Sequence, residues 1–295
     1  MNDQIISEEE GIDLLEVINE LWSQKLILSL LALFFIGSSS IIALNLPQYW
    51  TASTTLMIVE GAKGGGGAPG ALAGMVGVKL GSSNISNGQI AAEIARSKDF
   101  FKYLIKDEKL LIDLIAIKDF QNGKNIYDPE IYDFSSKKWV QGKPSFFSAY
   151  NGYRSAVSVN YDWELGGFMS ASVTHRSPIF ASELLEKLIV NLNDQYRDRD
   201  LKEADRSLKY LANMSSSVTN SDLRRSVSSL MQNQLKTKMF ANVKEYYLVE
   251  PLDSVYVPQL RSKPKRTQIV LISTILGMLL SCLVVIVRKQ VLLKP

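Results

Sequence analysis

Residues 261–287 of this 295-residue chain read RSKPKRTQIVLISTILGMLLSCLVVIV. Four of the first six residues of this stretch are cations, called the basic cluster below: Arg261, Lys263, Lys265 and Arg266. Residues 269–287 carry no charge. As an α-helix they measure about 28 Å, close to the roughly 30 Å hydrocarbon core of a bilayer. We therefore predict a transmembrane helix over residues 267–287.

A second uncharged block, LILSLLALFFIGSSSIIALNL, covers residues 26–46. It is longer than the apolar core of a signal peptide, and the residues before it are mainly acidic, so we interpret it as a retained anchor. Two spans place residues 1–25 and 288–295 on the same side. Between the spans lie 220 residues, 47–266, which are enough to bury a core of their own.

The charges near the spans do not decide which side the loop faces, because both sides carry similar numbers of Lys and Arg and the loop is long. The single cysteine, Cys282, lies in the second span. A loop without cysteine is compatible with a bacterial periplasm. We expect the loop outside, both tails in the cytoplasm and no nucleic-acid partner. The net charge of +3 says little about partners.

The loop contains patterns of both strands and helices. Alternating, β-branched segments predict four strands: Tyr49–Val59, Ala156–Tyr161, Phe168–His175 and Tyr246–Pro251. The first follows the first span and the fourth leads to the second, so we expect a sheet close to the membrane. Apolar residues at three-and-four spacing predict helices over residues 89–96 and 98–117.

The longest helical pattern begins at Ser177-Pro178, a predicted N-cap followed by proline in the first turn. It is interrupted by MSSSVTNS, residues 214–221, and resumes to Val243. The two runs form either one rod on the order of 100 Å long or a hairpin of half that height. In both cases a helical arm, residues 177–244, projects from an α/β base, and side-by-side packing with another subunit is expected.

The sequence contains no recognisable catalytic constellation. The glycine-rich stretch 61–83 lacks the Gly-Lys-Ser/Thr ending of a phosphate-binding loop. His175 is the only histidine. Asp198 and Asp200 are two residues apart, so on a helix these two side chains do not face each other. We predict no catalytic residue, no cofactor and no metal site.

The second span contains a stripe of small residues spaced by four: Ser273, Gly277 and Ser281. Such a stripe allows another helix to approach closely in lipid. The alternative is that small residues are simply common in membrane helices, and the sequence leaves both interpretations open.

The order of these parts resembles the chain length determinants (Wzz-type), or polysaccharide co-polymerases, of bacterial surface polysaccharides. Three segments carry the resemblance. They are residues 71–105, with the step Ser97-Lys98-Asp99-Phe100, residues 174–194, and residues 239–280. The last includes the proline-rich motif: Pro251, Pro258 and Pro264. The Glu250-Pro251-Leu252-Asp253 stretch departs from the aspartate-centred turn frequent in relatives.

The resemblance implies a non-enzymatic regulator of O-antigen-like chain length in the bacterial inner membrane. Its relatives form homo-oligomeric rings, here expected to be octamers, which act with a polymerase on a lipid-linked glycan. The alternative is a capsule or exopolysaccharide export co-polymerase that works with a separate cytoplasmic tyrosine kinase and an outer-membrane exporter. A sensor would need a cytoplasmic output module, and a channel would need a polar pore lining, so both are disfavoured.

The expected fold is therefore an α+β membrane protein with two transmembrane helices flanking a periplasmic domain. The base of this domain comprises residues 47–176 and 245–266 and contains about four strands.

The basic cluster has two interpretations. It anchors the loop to the phosphates of membrane lipids, or it binds the pyrophosphate of the lipid-linked glycan or an acidic patch on the polymerase.

Overall fold

A computed structural model of the chain describes residues 22, 24–59, 87–162, 167–217 and 220–292, with backbone only at residues 27 and 285–292. The chain forms two units. The membrane unit comprises Met1–Gln48 and Ser262–Pro295, and the loop domain comprises Tyr49–Arg261. The glycine-rich stretch 61–83 and most of the N-terminal tail lie outside the described residues.

The membrane unit contains two long helices, α1 (Lys25–Asn45) and α8 (Arg266–Leu292). They pack antiparallel, because Arg266 hydrogen-bonds to the carbonyl of Leu44 and Gly277 lies against Phe35. Each contains a window long and apolar enough to cross a membrane, and only 11% of each window is buried. These exposed apolar surfaces suit contact with lipid.

The loop domain is built on a four-stranded antiparallel sheet of order β6-β7-β1-β8. Its strands are β1 (Trp50–Ile58), β6 (Val157–Asp162), β7 (Phe168–His175) and β8 (Val249–Pro251). Alternate β1 side chains, Ala52, Thr54 and Leu56, are buried. All four correspond to strands predicted from the sequence, and together with the flanking spans and long helices they confirm the α+β class.

Four shorter helices complete the core: α2 (Asn87–Arg96), α3 (Lys98–Leu104), α4 (Glu108–Ala116) and α5 (Phe146–Ala156). Ser97 accepts a hydrogen bond from the amide of Phe100 and so caps α3, which explains the Ser-x-x-Phe spacing. Phe100 is fully buried. The prediction of one helix over 98–117 is wrong, because Asp107 caps a new helix, α4, through the amide of Lys109.

Two small hairpins follow α4, and neither was predicted. They consist of β2 (Ile117–Gln121) with β3 (Lys124–Tyr127), and β4 (Tyr132–Asp133) with β5 (Lys138–Trp139). Asn122 and Gly123 join the first pair with φ of 50° and 77°. Asn-Gly adopts positive φ readily, which closes a tight hairpin.

The arm is a helical hairpin of α6 (Pro178–Ser217) and α7 (Ser221–Val243). Lys238 pairs with Asp205 at 2.6 Å, and Arg197 donates to the carbonyl of Lys244 at 3.0 Å, so the two helices run antiparallel. Ser177 caps α6 through the amide of Phe180, as predicted. Of the two predicted arrangements the structure contains the hairpin. The 40 residues of α6 span about 60 Å.

The sole histidine, His175, is a buried structural residue at the end of β7. Its Nδ1 accepts from the amide of Ser177 at 3.2 Å, and its Nε2 lies 3.4 Å from the carbonyl of Leu114. Its ring packs edge-on against Phe180, with the centroids 4.6 Å apart. Burial favours the neutral ring and lowers the pKa of His175 from 6.5 to about 4.

We expect the loop domain to lose stability on acidification between pH 6.5 and about 4, because in that range the unfolded chain protonates His175 and the folded chain does not. From pH 7.5 to pH 5.0 the loss attributable to this group is about 2 kcal/mol. Burial raises the pKa of Asp113, and this effect opposes the loss near the acidic end. Urea unfolding of the full chain in detergent at both pH values measures the change.

The matched variant is His175→Gln, which keeps polar groups at the site and removes the titration. Its pH dependence over the same interval is expected to be flatter than that of the wild type by about 2 kcal/mol. An identical pH dependence in the two chains would contradict the assignment.

Candidate interaction surfaces

A buried amide, that of Asn193 of α6, joins the arm to the segment that enters the sheet, and Asn193 is 2% exposed. Its Oδ1 accepts from the amides of Tyr247, Leu248 and Val249 at 2.9, 2.7 and 3.1 Å. Its Nδ2 donates to the carbonyls of Val249 and Ile189, both at 2.9 Å. One side chain therefore holds the segment that enters β8 against the base of the arm.

A second polar contact lies two turns further along α6. The hydroxyl of Tyr247 donates to Asp200 at 3.0 Å, and Asp200 is 5% exposed. Arg199 pairs with the same carboxylate at 3.2 Å and stacks over the ring of Tyr196 at 4.1 Å. Burial and the neighbouring Asp200 carboxylate raise the pKa of Tyr247, so its hydroxyl remains a donor. Asp200 is thus a structural residue of this junction.

The C-terminal half of α7 leaves a stripe of apolar side chains uncovered. On α7, Leu235, Met239 and Val243 recur at intervals of four and are 54%, 54% and 76% exposed. We call these three residues the arm stripe. In this helix the described buried residues are Val227 and Ala241, which face α6. A helix with two apolar faces, one of them uncovered, is suited to packing against a second helix pair.

The structure places most of the basic cluster in solvent. Arg261, at the end of the loop domain, is exposed, as are Lys263 and Lys265 in the membrane unit, and none of the three forms an ion pair among the described residues. Arg266 differs from them. It is half-buried, and its Nη2 donates to the carbonyl of Leu44 at 3.3 Å. Arg266 therefore joins the adjacent ends of the two membrane helices.

The three prolines of the motif occupy different settings. Pro251 is the last residue of β8 and pairs with Leu56. Because β8 is an edge strand, the missing amide N–H of the proline costs the least hydrogen bonding there. Pro258 lies in irregular backbone. Pro264 precedes α8 by two residues, and the Lys263–Pro264 peptide bond is cis. The described chain brings no two of these prolines together in one strand or helix.

The small residues of the second span face the first span. Gly277 and Ser281 are buried and Ser273 is half-buried. A Cβ built on Gly277 would lie 2.8 Å from the Cβ of Phe35 and closer still to its ring. Phe35 thus fills the space that the missing side chain leaves, and α1 is the helix against which the stripe packs.

Replacing Gly277 with valine is expected to force the two membrane helices apart and to cost about 2 kcal/mol of helix-pair stability, a usual magnitude for overpacking. The measurement is the SDS fraction at which the helices separate, followed by energy transfer between labels at the N-terminal end of α1 and the C-terminal end of α8. Phe35→Ala in the same chain should restore most of the loss. Gly37→Val is the control, because nothing lies within 4 Å of a Cβ at Gly37.

Among the described residues, no group of three or more His, Cys, Asp or Glu side chains is arranged to hold a metal ion. Asp198 and Asp200 do not form a pair, since Asp200 is committed to Tyr247. The surfaces that remain are the arm stripe, the basic cluster and the exposed faces of the membrane helices. All three are suited to binding other molecules.

Together these features define a class: a protein with one large α+β domain inserted between two candidate membrane spans. Residues 10–108 match the family described as "Wzz: Chain length determinant protein". That match covers 99 of the 295 residues, and it confirms the resemblance to the Wzz chain length determinants that the sequence shows.

A solved structure described as a "full-length bacterial polysaccharide co-polymerase" is similar at 11% sequence identity, with a TM-score of 0.39, and the alignment covers 95% of this chain and 98% of that one. No curated protein matches the sequence.

The family match bears on three expectations drawn from the sequence. Wzz chain length determinants are non-enzymatic co-polymerases, so the expectation that this chain is not an enzyme is confirmed on that ground. The family also implies an oligomeric assembly. Its inner-membrane location is consistent with the two candidate spans that flank the loop domain.

Proposed function

We propose that this chain sets the length of an O-antigen-like, lipid-linked surface polysaccharide. It acts in the bacterial inner membrane with the loop domain in the periplasm and with residues 1–25 and 288–295 in the cytoplasm. Eight copies form a ring, and the ring acts together with the polymerase of the lipid-linked repeat units. The single observation that carries the proposal is the family match over residues 10–108.

The arrangement of the chain supports an action by assembly. The arm, residues 177–244, is fixed to the sheet at Asn193 and Asp200 and exposes the arm stripe on α7. In a ring the stripe packs on the arm of the neighbouring copy, so that the subunits present one continuous periplasmic surface to the growing glycan.

The membrane end of the loop is proposed to anchor the assembly. Lys263 and Lys265 are exposed and attract lipid phosphates at the outer leaflet. The motif of Pro251, Pro258 and Pro264 keeps the chain from continuing as a strand towards α8, because proline fixes φ and lacks an N–H donor. The pyrophosphate of the lipid-linked glycan is the alternative ligand for these lysines.

Deleting the gene and displaying the lipopolysaccharide by electrophoresis tests the function. We expect the modal distribution of chain lengths to be lost while polymerisation continues, and a plasmid copy to restore it. An unchanged length distribution together with loss of secreted capsule would instead assign the chain to export, with a separate kinase and an outer-membrane exporter.

A further inference from the structure

The membrane unit carries an open groove of about 670 Å³ beside the two packed helices. Ser40, Ala43 and Leu44 of α1 form one wall, and Val270, Leu271 and Thr274 of α8 form the other. The volume lies within the roughly 300–1,000 Å³ usual for small-molecule sites. The lining is almost wholly apolar or small, which suits a hydrocarbon chain.

One end of the groove is formed by the guanidinium of Arg266. Its Nη2 donates to the carbonyl of Leu44, while its Nε is buried without a hydrogen-bond partner among the described residues. Guanidinium groups bind phosphate through charge-assisted N–H···O hydrogen bonds. Arg266 therefore has the capacity to take an anionic ligand at this end of the groove.

The described part of the membrane unit contains no carboxylate side chain that could pair with Arg266. Residues 24–48 and 262–292 contain no Asp or Glu, whereas Lys263, Lys265 and Arg266 concentrate positive charge at one end of α8. A ligand that complements this end must bring its own negative charge. A ligand that complements the rest of the groove must be apolar, so the two requirements together describe an anionic lipid.

We propose that this groove binds one anionic glycerophospholipid, with its phosphate on Arg266 and one acyl chain along the wall formed by Val270 and Thr274. Lys265 adds attraction of longer range, because it is exposed and makes no ion pair within the described unit. The proposal requires only that the two helices lie in a bilayer, and it does not depend on the polysaccharide function.

The test uses the full chain in nonionic detergent with equal amounts of phosphatidylglycerol and phosphatidylcholine carrying the same acyl chains. Native mass spectrometry counts the retained lipids. We expect about a tenfold preference for phosphatidylglycerol, equivalent to about 1.4 kcal/mol or one charge-assisted hydrogen bond. Arg266→Gln should remove the preference. Arg266→Lys should keep part of it, because lysine retains the positive charge but lacks the planar set of donors of a guanidinium.

A second pair of variants tests the contribution of the apolar groove to lipid binding independently of the charge of Arg266. Val270→Trp fills the groove and is expected to lower the retention of both lipids. Leu279→Trp adds the same ring to α8 at a position that is 64% exposed and outside the groove lining, and it should retain lipid as the wild type does. Helix content by circular dichroism checks that each variant is folded.

Three results would overturn the proposal. The first is equal retention of the two lipids by the wild type, and the second is unchanged retention in Val270→Trp. The third is a cross-link between copies through Leu271→Cys that persists when lipid is in excess, since that would show that a helix of a second copy occupies the groove.

Discussion

Replacing Asn193 with alanine is expected to lower the free energy of unfolding of the loop domain by about 4 kcal/mol. The change removes the acceptor of three buried backbone amides and the donor to a buried carbonyl of β8. Each buried group left unpaired costs about 1–3 kcal/mol, and the losses are not fully additive because the groups are adjacent. For a domain of this size, the midpoint of heat unfolding should fall by about 8–16 °C.

Tryptophan fluorescence of the full chain in detergent follows this transition, because Trp50 and Trp139 both lie in the loop domain. Asn191→Ala is the matched control. Among the described residues its Nδ2 donates only to the carbonyl of Lys187 within the same helix, and its loss should cost less than about 1 kcal/mol. Equal shifts in the two variants would show that Asn193 does not join the arm to the sheet.

The elements with strong periodic patterns could be predicted from sequence. The four sheet strands alternate or are β-branched, and the Ser177-Pro178 pair marks the start of α6 to within one residue. These signals are local, since side-chain periodicity and capping depend on neighbours within a few residues. The two membrane helices were predictable for the same reason, because their length and lack of charge are themselves the signal.

Shorter elements were missed because their signals are brief. The Asn122-Gly123 pair is a strong hairpin indicator, yet β2 and β3 contain only five and four residues. The break between α3 and α4 depends on Asp107, whose role as an N-cap competes with a continuous apolar pattern. In both places a single turn residue outweighs the periodicity around it.

The hydrogen-bond partners of Asn193 could not be predicted from a single sequence. Asn193 and Asp200 lie on the same buried face of α6 as Ile189 and Tyr196, so polar residues interrupt an apolar stripe. That interruption is a signal of a buried hydrogen-bonded site. Their partners are about 50 residues away in the sequence, at Tyr247–Val249. No local pattern identifies such partners, because they are set by the return of the chain along α7.

The sequence predicted the residues of the candidate surfaces better than it predicted their exposure. Charge alone identified the basic cluster, but not that Arg266 would be half-buried on Leu44 while its neighbours stay exposed. The position of the arm stripe depends on which face of α7 packs against α6. The sequence shows which residues of α7 are apolar, but it does not show which of these apolar residues remain exposed.

Assembly is expected to fail when the arm stripe is charged. Leu235→Glu with Met239→Glu places two carboxylates on a surface that is proposed to meet the neighbouring copy. Each apolar side chain buried there contributes about 1.5–3 kcal/mol, so the dissociation constant between copies should rise at least about 100-fold. Because both side chains are more than half exposed, the fold of the loop domain should be preserved.

Light scattering on the detergent-extracted protein measures the mass of the assembly, and the polysaccharide ladder of the complemented deletion strain measures function. Ser229→Glu with Asn233→Glu is the matched control, since it adds the same two charges at the same spacing on another exposed side of α7. We expect it to assemble and to restore modal length, whereas the stripe variant is monomeric and leaves the ladder unregulated. A stripe variant that remains oligomeric would show that the copies meet through another surface, and one that is monomeric yet restores modal length would separate assembly from chain-length control.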